Sequence, residues 1–244
     1  MPLKTQFQIV ETTTEITSPI TKFGGQPVWL SQPYWPIAFE TSEKMMFVGQ
    51  ISLESKLFPN SNGTMVYLFI IDECEPLYEE AITTVIQTSD NTYLDNDNFE
   101  YAFEPTGPTI YELDENHQAV YKEYKAVLNP IEDEEIIPLE ERYTVDDWDC
   151  EVKFHFTKPF LAGNKIGGQP LYTQGLTNPP SEFNSQEWLL LMQLAPTQGY
   201  WNNLQSNYFQ RNFYPFLMEL GEFGILTVFI SSDYKKTKCY IQQG

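Results

Sequence analysis

The stretch that decides the fold reads TKFGGQPVW, at residues 21–29, and it returns as NKIGGQPLY at residues 164–172. A constant offset (168 − 25 = 143) aligns Gly25 with Gly168. Paired glycines allow positive φ and close backbone approach, and the proline that follows fixes φ and ends ladder hydrogen bonding. The repeated stretch therefore predicts a sharp strand-to-strand corner that the fold uses twice.

The repetition extends well beyond the corner. The same offset (193 − 50 = 143) aligns Gln50 with Gln193, and each glutamine lies inside an apolar run. The downstream runs align at a larger offset (224 − 63 = 161), so the second copy holds about 18 extra residues before its glycine. This shared order of landmarks predicts an internal duplication. The flanking segments that align are FQIVE at 7–11 with CEVKF at 150–154, and GTMVYLFIID at 63–72 with GILTVFISSD at 224–233.

Short β-branched and aromatic runs, punctuated by 17 prolines and 13 glycines, predict a chain dominated by strands. The main helical signal is at residues 205–220, where Pro215 interrupts it. We expect an α+β, mainly β fold, built from internally duplicated sheet units with a pseudo-two-fold relation and few short helices. Residues 1–244 would form a single domain, with a first repeat at 7–72, an acidic middle segment at 73–149 and a second repeat at 150–244.

The two glutamines and the two corners are the candidate site. An amide inside an apolar strand is unfavourable unless its hydrogen bonds are satisfied, so we expect Gln50 and Gln193 to be buried and to brace the corners through backbone. A purely structural corner is the leading interpretation, and a backbone surface for a ligand is the alternative. The residues concerned are Gly24, Gly25, Pro27, Trp29, Gln50, Gly167, Gly168, Pro170, Tyr172 and Gln193.

Acidic charge is concentrated in the middle of the chain. Residues 72–149 hold 23 of the 34 acidic residues and three bases, so their net charge (3 − 23 = −20) equals that of the whole chain. Such a segment is either a solvated surface or an electrostatic landing site for a basic protein or peptide. The candidate contacts are Glu132, Asp133, Glu134 and Glu135, with Tyr111, Tyr121, Tyr124 and Tyr143 as aromatic anchors.

No catalytic motif emerges from the sequence. His117 and His155 lie near neither a cysteine nor each other, so zinc-ligand spacing is absent. A nucleophile elbow, a P-loop and a dinucleotide fingerprint are also missing. We therefore expect no cofactor and no metal, and the lack of a basic patch argues against nucleic-acid binding. The carboxylates of the middle segment leave a hydrolase open as a weaker alternative.

The cysteines and the hydropathy favour a cytoplasmic protein. Cys74, Cys150 and Cys239 are far apart and odd in number, which favours reduced thiols over a disulfide framework. No apolar run approaches the roughly 20 residues of a membrane-spanning helix, and the first residues lack a signal-peptide pattern. We expect no membrane association.

The stretch SPITKFGGQPVW, with the MMFVGQISL and MVYLFIID runs, resembles the YwqG-like family of uncharacterised bacterial cytoplasmic proteins. The second copy resembles it too, with Ile166 where phenylalanine is usual. The same signature is similar to programmed cell death protein 2, a duplicated β protein that is a dedicated chaperone of a basic ribosomal protein. The resemblance implies a non-enzymatic protein- or peptide-binding module. Some YwqG-like members lie near toxin systems, which implies an immunity-type inhibitor as the alternative.

Overall fold

The computed structural model describes residues 3–61, 63–71, 81–94, 99–132, 161, 163–171, 187–194 and 225–242. Within these ranges the chain forms fifteen strands and no α-helix. The strands are β1 Leu3–Thr12, β2 Lys22–Gly24, β3 Trp35–Ile37, β4 Met46–Ser52, β5 Met65–Ile70, β6 Ile82–Gln87, β7 Thr92–Leu94, β8 Glu100–Ala102, β9 Tyr111–Leu113, β10 Ala119–Tyr121, β11 Glu123–Glu132, β12 Lys165–Gly167, β13 Trp188–Leu194, β14 Ile225–Ser231 and β15 Thr237–Gln242.

Eleven strands form one antiparallel sheet, in the order β15-β14-β13-β12-β1-β11-β2-β4-β5-β6-β7. The other four form two small sheets, β9–β10 and β3–β8. The large sheet curls, so that the hydroxyl groups of Thr84 in β6 and Thr237 in β15, near its two ends, are hydrogen-bonded to each other. The mainly β expectation is confirmed, and the helical signal at 205–220 lies outside the described residues.

The two flanks of the sheet share one pattern of strand pairing. Lys22 faces Gln50 in β2–β4, and Lys165 faces Gln193 in β12–β13. Each longer strand of these pairs has a register shift, between Phe47 and Gly49 in β4 and between Leu190 and Met192 in β13. All of these positions are related by the offset that aligns the two glycine pairs in the sequence.

The next ladder corrects the predicted alignment of the downstream runs. Tyr67 of β5 faces Gln50, and Thr227 of β14 faces Gln193. Tyr67 and Thr227 pair with equivalent glutamines, so equivalent residues of β5 and β14 are 160 positions apart (227 − 67 = 160). The glycine and aspartate landmarks indicate 161 (224 − 63 = 161). Of those landmarks, Gly63 and Asp233 lie beyond the ends of β5 and β14, and Asp72 and Gly224 lie outside the described residues, so they did not fix the register.

The centre of the sheet crosses over between the flanks. Strand β1 pairs with β12 of the far flank, and β11 pairs with β2 of the near flank. The two central strands also pair with each other along their whole length, from Leu3 opposite Glu132 to Thr12 opposite Glu123. The segment at 73–149 thus contributes β6 to β11 to the fold, including one of its two central strands.

Two apolar clusters lie on opposite faces of the sheet. Inside the curl, residues of both flanks meet, among them Val48 and Met192 with the stacked rings of Phe7 and Phe23. Outside the curl, a second cluster contains eight buried residues, among them Trp35 and Phe47. Adjacent strand residues point to opposite faces, so the uninterrupted apolar runs of β4 and β5 supply both clusters.

Candidate functional site

Both repeated turns have the backbone that their glycines predict. Gly24 and Gly25 have φ of 64° and 61°, and Gly167 and Gly168 have φ of 72° and 77°. At Gly24 a Cβ atom would lie 2.4 Å from the carbonyl oxygen of Lys122. Only glycine fits both the positive φ and this close approach of two backbones.

The two glutamines are buried and bonded to backbone, which confirms that part of the prediction. The backbone N–H of Val28 donates to Gln50 Oε1 at 2.8 Å, and Gln50 Nε2 donates to the carbonyl of Ile20 at 2.9 Å. One amide therefore ties together the chain before and after the first turn. Since both amide groups are satisfied inside an apolar strand, bracing the turn accounts for Gln50.

Gln193 repeats this geometry in the second turn. The backbone N–H of Leu171 donates to Gln193 Oε1 at 2.8 Å, and Gln193 Nε2 donates to the carbonyl of Gly163 at 2.9 Å. Leu171 corresponds to Val28, and Gly163 to Ile20, at the offset that also relates the two glutamines. Gln193 Nε2 further donates to the carbonyl of Leu161 at 3.1 Å.

Buried lysines are part of both turns, and sequence reasoning missed their role. Lys22 Nζ donates to the carbonyl of Gln26 at 2.6 Å and forms an ion pair with Glu123. Lys165 Nζ donates to the carbonyl of Gln169 at the matching place. The signal was present, because both quoted stretches carry lysine two residues before the glycine pair. Lysine is mostly a surface residue, so its repetition did not suggest burial.

After the first turn the chain crosses β4, β5 and β6, held by one polar side chain from each strand. Gln50 binds Val28 as described, and the Tyr67 hydroxyl donates to the Val28 carbonyl at 2.8 Å. Gln87 Nε2 donates to the carbonyl of Gln32 at 2.7 Å. Burial raises the pKa of the Tyr67 hydroxyl, so it remains a donor. In the far flank, Gln242 Nε2 donates to the carbonyl of Leu171 at 3.0 Å.

The remaining turn residues also have structural contacts. Pro27 and Pro170 are buried. The indole of Trp29 packs on Tyr67, with ring centroids 4.6 Å apart, and its N–H donates to the carbonyl of Pro105 at 3.0 Å. Tyr172 lies outside the described residues.

The structure does not bring the two turns together into one site. Gly24 faces Glu123 at one end of the central β1–β11 pair, whereas Gly167 faces Lys4 near the other end. A ligand contacting both glycine pairs would have to span most of the central strands. Each turn is thus a separate, internally satisfied corner.

The structure describes only some of the residues that the sequence predicts as contacts for a basic partner. Glu132 is the last residue of β11, and Asp133, Glu134 and Glu135 lie outside the described residues, as does Tyr143. Tyr124 is buried, with its hydroxyl bonded to Glu112, so the prediction that it is an exposed anchor is wrong. Its side chain points into the curl because β11 is a central strand. Tyr121 is 63% exposed, and its ring contacts that of Tyr111.

Four of the described carboxyl groups have a lowered pKa. Burial would raise the pKa of Glu112, but hydrogen bonds from Lys122 and Tyr124 outweigh it and hold the pKa below its ordinary value. Each described carboxyl with a clear pKa shift is shifted down; the others are Glu104, Asp114 and Asp233. A hydrolase that uses a carboxylic acid as proton donor needs a raised pKa instead. Lowered values suit ion pairing and surface charge.

The described residues contain neither a metal-site cluster nor a membrane-spanning helix. In the ranges that the structure describes, no three His, Cys, Asp or Glu side chains come together as a metal site. Within the same ranges, no helix is long and apolar enough to cross a bilayer. His117, one of the two histidines, occupies an exposed turn with a φ of 59°.

Comparison with known proteins gives one match. Searches of curated proteins and of solved structures each find nothing similar to the chain. A family model described as a domain of unknown function, DUF1963, matches residues 21–242. The match begins one residue before the lysine of the first turn and ends at Gln242, the last residue of β15. Since it covers most of the sequence, the chain belongs to the DUF1963 family.

Proposed function

We propose that this protein is a non-enzymatic, cytoplasmic protein- or peptide-binding module whose client is basic. The observation that supports this most is where the lysines lie. Lys4, Lys22 and Lys165 are each at most 1% exposed, so at most 11 of the 14 bases remain for the surface (14 − 3). The whole chain has 34 acids, of which Glu123 is largely buried. A surface with such an imbalance attracts basic partners over a long range and repels acidic ones.

We also propose that the fold arose by internal duplication, with a pseudo-two-fold axis between β1 and β11. The matched registers, matched register shifts and matched glutamine and lysine contacts of the flanks support this. The axis would exchange β1 with β11, because β1 borders β12 and β11 borders β2. This replaces the sequence alignment of residues 7–11 with residues 150–154; the segment 150–154 lies outside the described residues. Duplication of a binding fold would provide two similar frameworks, of which the near one carries the acidic segment.

We assign the chain, within its family, to the YwqG-like group, on the two GGQP turns and their glutamines. The GGQP turns and their glutamines resemble those of programmed cell death protein 2, and that resemblance implies a chaperone-like role, in which a basic client is shielded until its assembly. The downward pKa shifts of the described carboxyl groups support an anionic docking surface over acid catalysis.

Association kinetics test the proposal. The client is captured by cross-linking in cell lysate and identified, and its association rate is then measured against salt. Neutralising Glu132, Asp133, Glu134 and Glu135 to their amides should slow association and flatten its salt dependence, because exposed charges are screened beyond about 8 Å at physiological ionic strength. Equal rates and salt slopes would reduce the acidic run to a solubility feature. A single toxin as client would favour an immunity role instead.

A further inference from the structure

One small sheet displays apolar side chains to solvent. Strands β9 and β10 pair so that Tyr111 faces Tyr121 and Leu113 faces Ala119. Directly opposed residues share a face, so these four side chains form one surface, which we name the hairpin face. Leu113 is 47% exposed and Tyr121 is 63% exposed. Tyr111 packs against the main core, and its ring lies 5.9 Å from that of Tyr121.

Hydrogen bonds and ion pairs brace the hairpin at both ends. At its tip, Asp114 Oδ1 accepts hydrogen bonds from the backbone N–H groups of Asn116 and Gln118, both at 2.8 Å. At its base, Lys122 binds Glu112 at 2.8 Å and Glu11 at 2.9 Å. These contacts lower the conformational entropy that a partner would have to remove on binding.

Carboxylates flank the hairpin. Asp114 and Glu115 are exposed at its tip, and Glu11 lies at its base, bound to Lys122. Glu112, between Tyr111 and Leu113 in β9, points to the opposite face, where it also binds Lys122. A second copy of this chain would bring the same negative charges together, and its net charge of −20 opposes that contact. A basic segment with apolar side chains complements both the rim and the centre of the surface.

We propose that the hairpin face is the docking surface for a basic, apolar segment of the client, with Leu113 and Tyr121 as its anchors. This inference rests on the proposed function and specifies where and by what chemistry the client is recognised. Arginine is the preferred basic residue, since a guanidinium can pair with a rim carboxylate and stack on the Tyr121 ring.

The test uses the full-length protein and three fluorescein-labelled peptides, matched in length and alternating arginine with leucine, arginine with glycine, or glutamate with leucine. Fluorescence anisotropy gives the dissociation constants. The arginine–leucine peptide should bind tightest. The double variant Leu113→Ser/Tyr121→Ser should raise the dissociation constant of this peptide by about tenfold or more, the usual scale of a lost aromatic anchor. The control is Phe39→Ser, which removes an 85% exposed aromatic side chain that is not part of the hairpin face. It should change the dissociation constant by less than about twofold.

A charge-reversal variant of the hairpin tip tests the docking surface without removing an apolar side chain. Glu115→Lys does not remove the Asp114 side chain or its hydrogen bonds at the tip. It should weaken binding of the arginine–leucine peptide more than Phe39→Ser does. The double serine variant and Glu115→Lys could both bind the arginine–leucine peptide as tightly as the Phe39→Ser control. That result would overturn the docking surface while the proposed function stands. If the wild type prefers no arginine peptide over the glutamate peptide, the proposed function fails, and this inference fails with it. A wild-type dimer that the double serine variant dissociates would assign the face to a second copy and also overturn it.

Discussion

The Gln50 side chain accepts a hydrogen bond from the backbone of Val28, 22 residues earlier in the chain, at 2.8 Å. The strand β4 that carries Gln50 thereby fixes the path of the chain as it leaves the first turn. The amide has no exposed surface. Its two bonded groups would therefore lose their partners without gaining water if the side chain were changed.

Gln50→Leu should reduce the free energy of unfolding by about 1–3 kcal/mol, the usual cost of orphaning buried polar groups. Gln193→Leu should have a similar cost, because its two matching bonds have nearly the same lengths. Urea unfolding followed by tryptophan fluorescence measures both. Gln8→Leu, on an exposed position of β1, is the control and should stay within about 0.5 kcal/mol. Equal effects at Gln50 and Gln8 would contradict the bracing role.

A matched pair of glycines separates strain from crowding. Gly24 and Gly63 have similar φ, 64° and 70°, but a Cβ at Gly24 meets the Lys122 carbonyl at 2.4 Å whereas a Cβ at Gly63 meets nothing within 4 Å. Gly63→Ala should cost only the conformational strain, about 1–2 kcal/mol. Gly24→Ala should cost about 2–5 kcal/mol, since overpacking adds to that strain. Thermal and urea unfolding of the two variants distinguish these costs, and equal costs would show that the backbone at Lys122, just before β11, can move aside.

The buried ion pair of the first turn should be strongly coupled. Lys22 and Glu123 have side chains that are 1% and 11% exposed. Lys22→Met should cost about 3–5 kcal/mol, because it leaves a largely buried carboxylate without its cation. Adding Glu123→Leu should recover part of that loss, which a double-mutant cycle measures.

The exposed pair Lys235–Asp233 is the control for that cycle. Its charged atoms are 3.7 Å apart, and its side chains are 52% and 59% exposed. Lys235→Met should change stability by no more than about 1 kcal/mol. Additive single effects at Lys22 and Glu123 would mean that the pair does not stabilise the turn.

The tip of the hairpin should loosen in acid. Backbone hydrogen bonds from Gln118 and Asn116 hold the pKa of Asp114 below its ordinary value of 3.8. A lowered folded-state pKa means that this stabilisation is complete above the unfolded-state pKa and is lost as the pH falls through the folded-state pKa. The amide signals of Asn116 and Gln118 in NMR spectra should therefore titrate below 3.8. In Asp114→Asn this titration should vanish; its persistence would assign it to another group.

Local features of this fold could be predicted from the sequence. The turns at Gly24 and Gly167 follow from steric limits on φ, and the burial of Gln50 and Gln193 follows from their apolar runs. These inferences needed only neighbouring residues. The repeated lysines were equally visible, but their burial depends on carbonyl groups that only the folded turn brings together, such as those of Gln26 and Gln169.

Features that depend on distant pairing could not be predicted. Tyr124 lies in the acidic segment and looked exposed, but β11 is a central strand and buries it. Nothing in that strand's own sequence specifies β1 and β2 as its neighbours, since its apolar alternation is compatible with many partners. The register that relates β14 to β5 was missed for a related reason. The glycine and aspartate landmarks are not part of the paired strands: Gly63 and Asp233 lie beyond β5 and β14, and the other two lie outside the described residues.

The crossover at the centre of the sheet has a consequence for synthesis. Strand β1 is synthesised before both of its neighbours, because β11 and then β12 follow it in the chain. Its two edges, with alternating apolar residues such as Phe7 and Ile9, therefore have no native partner until those strands have been made. Long-range pairing of this kind makes folding slow and leaves edges open to other chains. The nascent chain would thus depend on protection of these edges until β11 and β12 emerge.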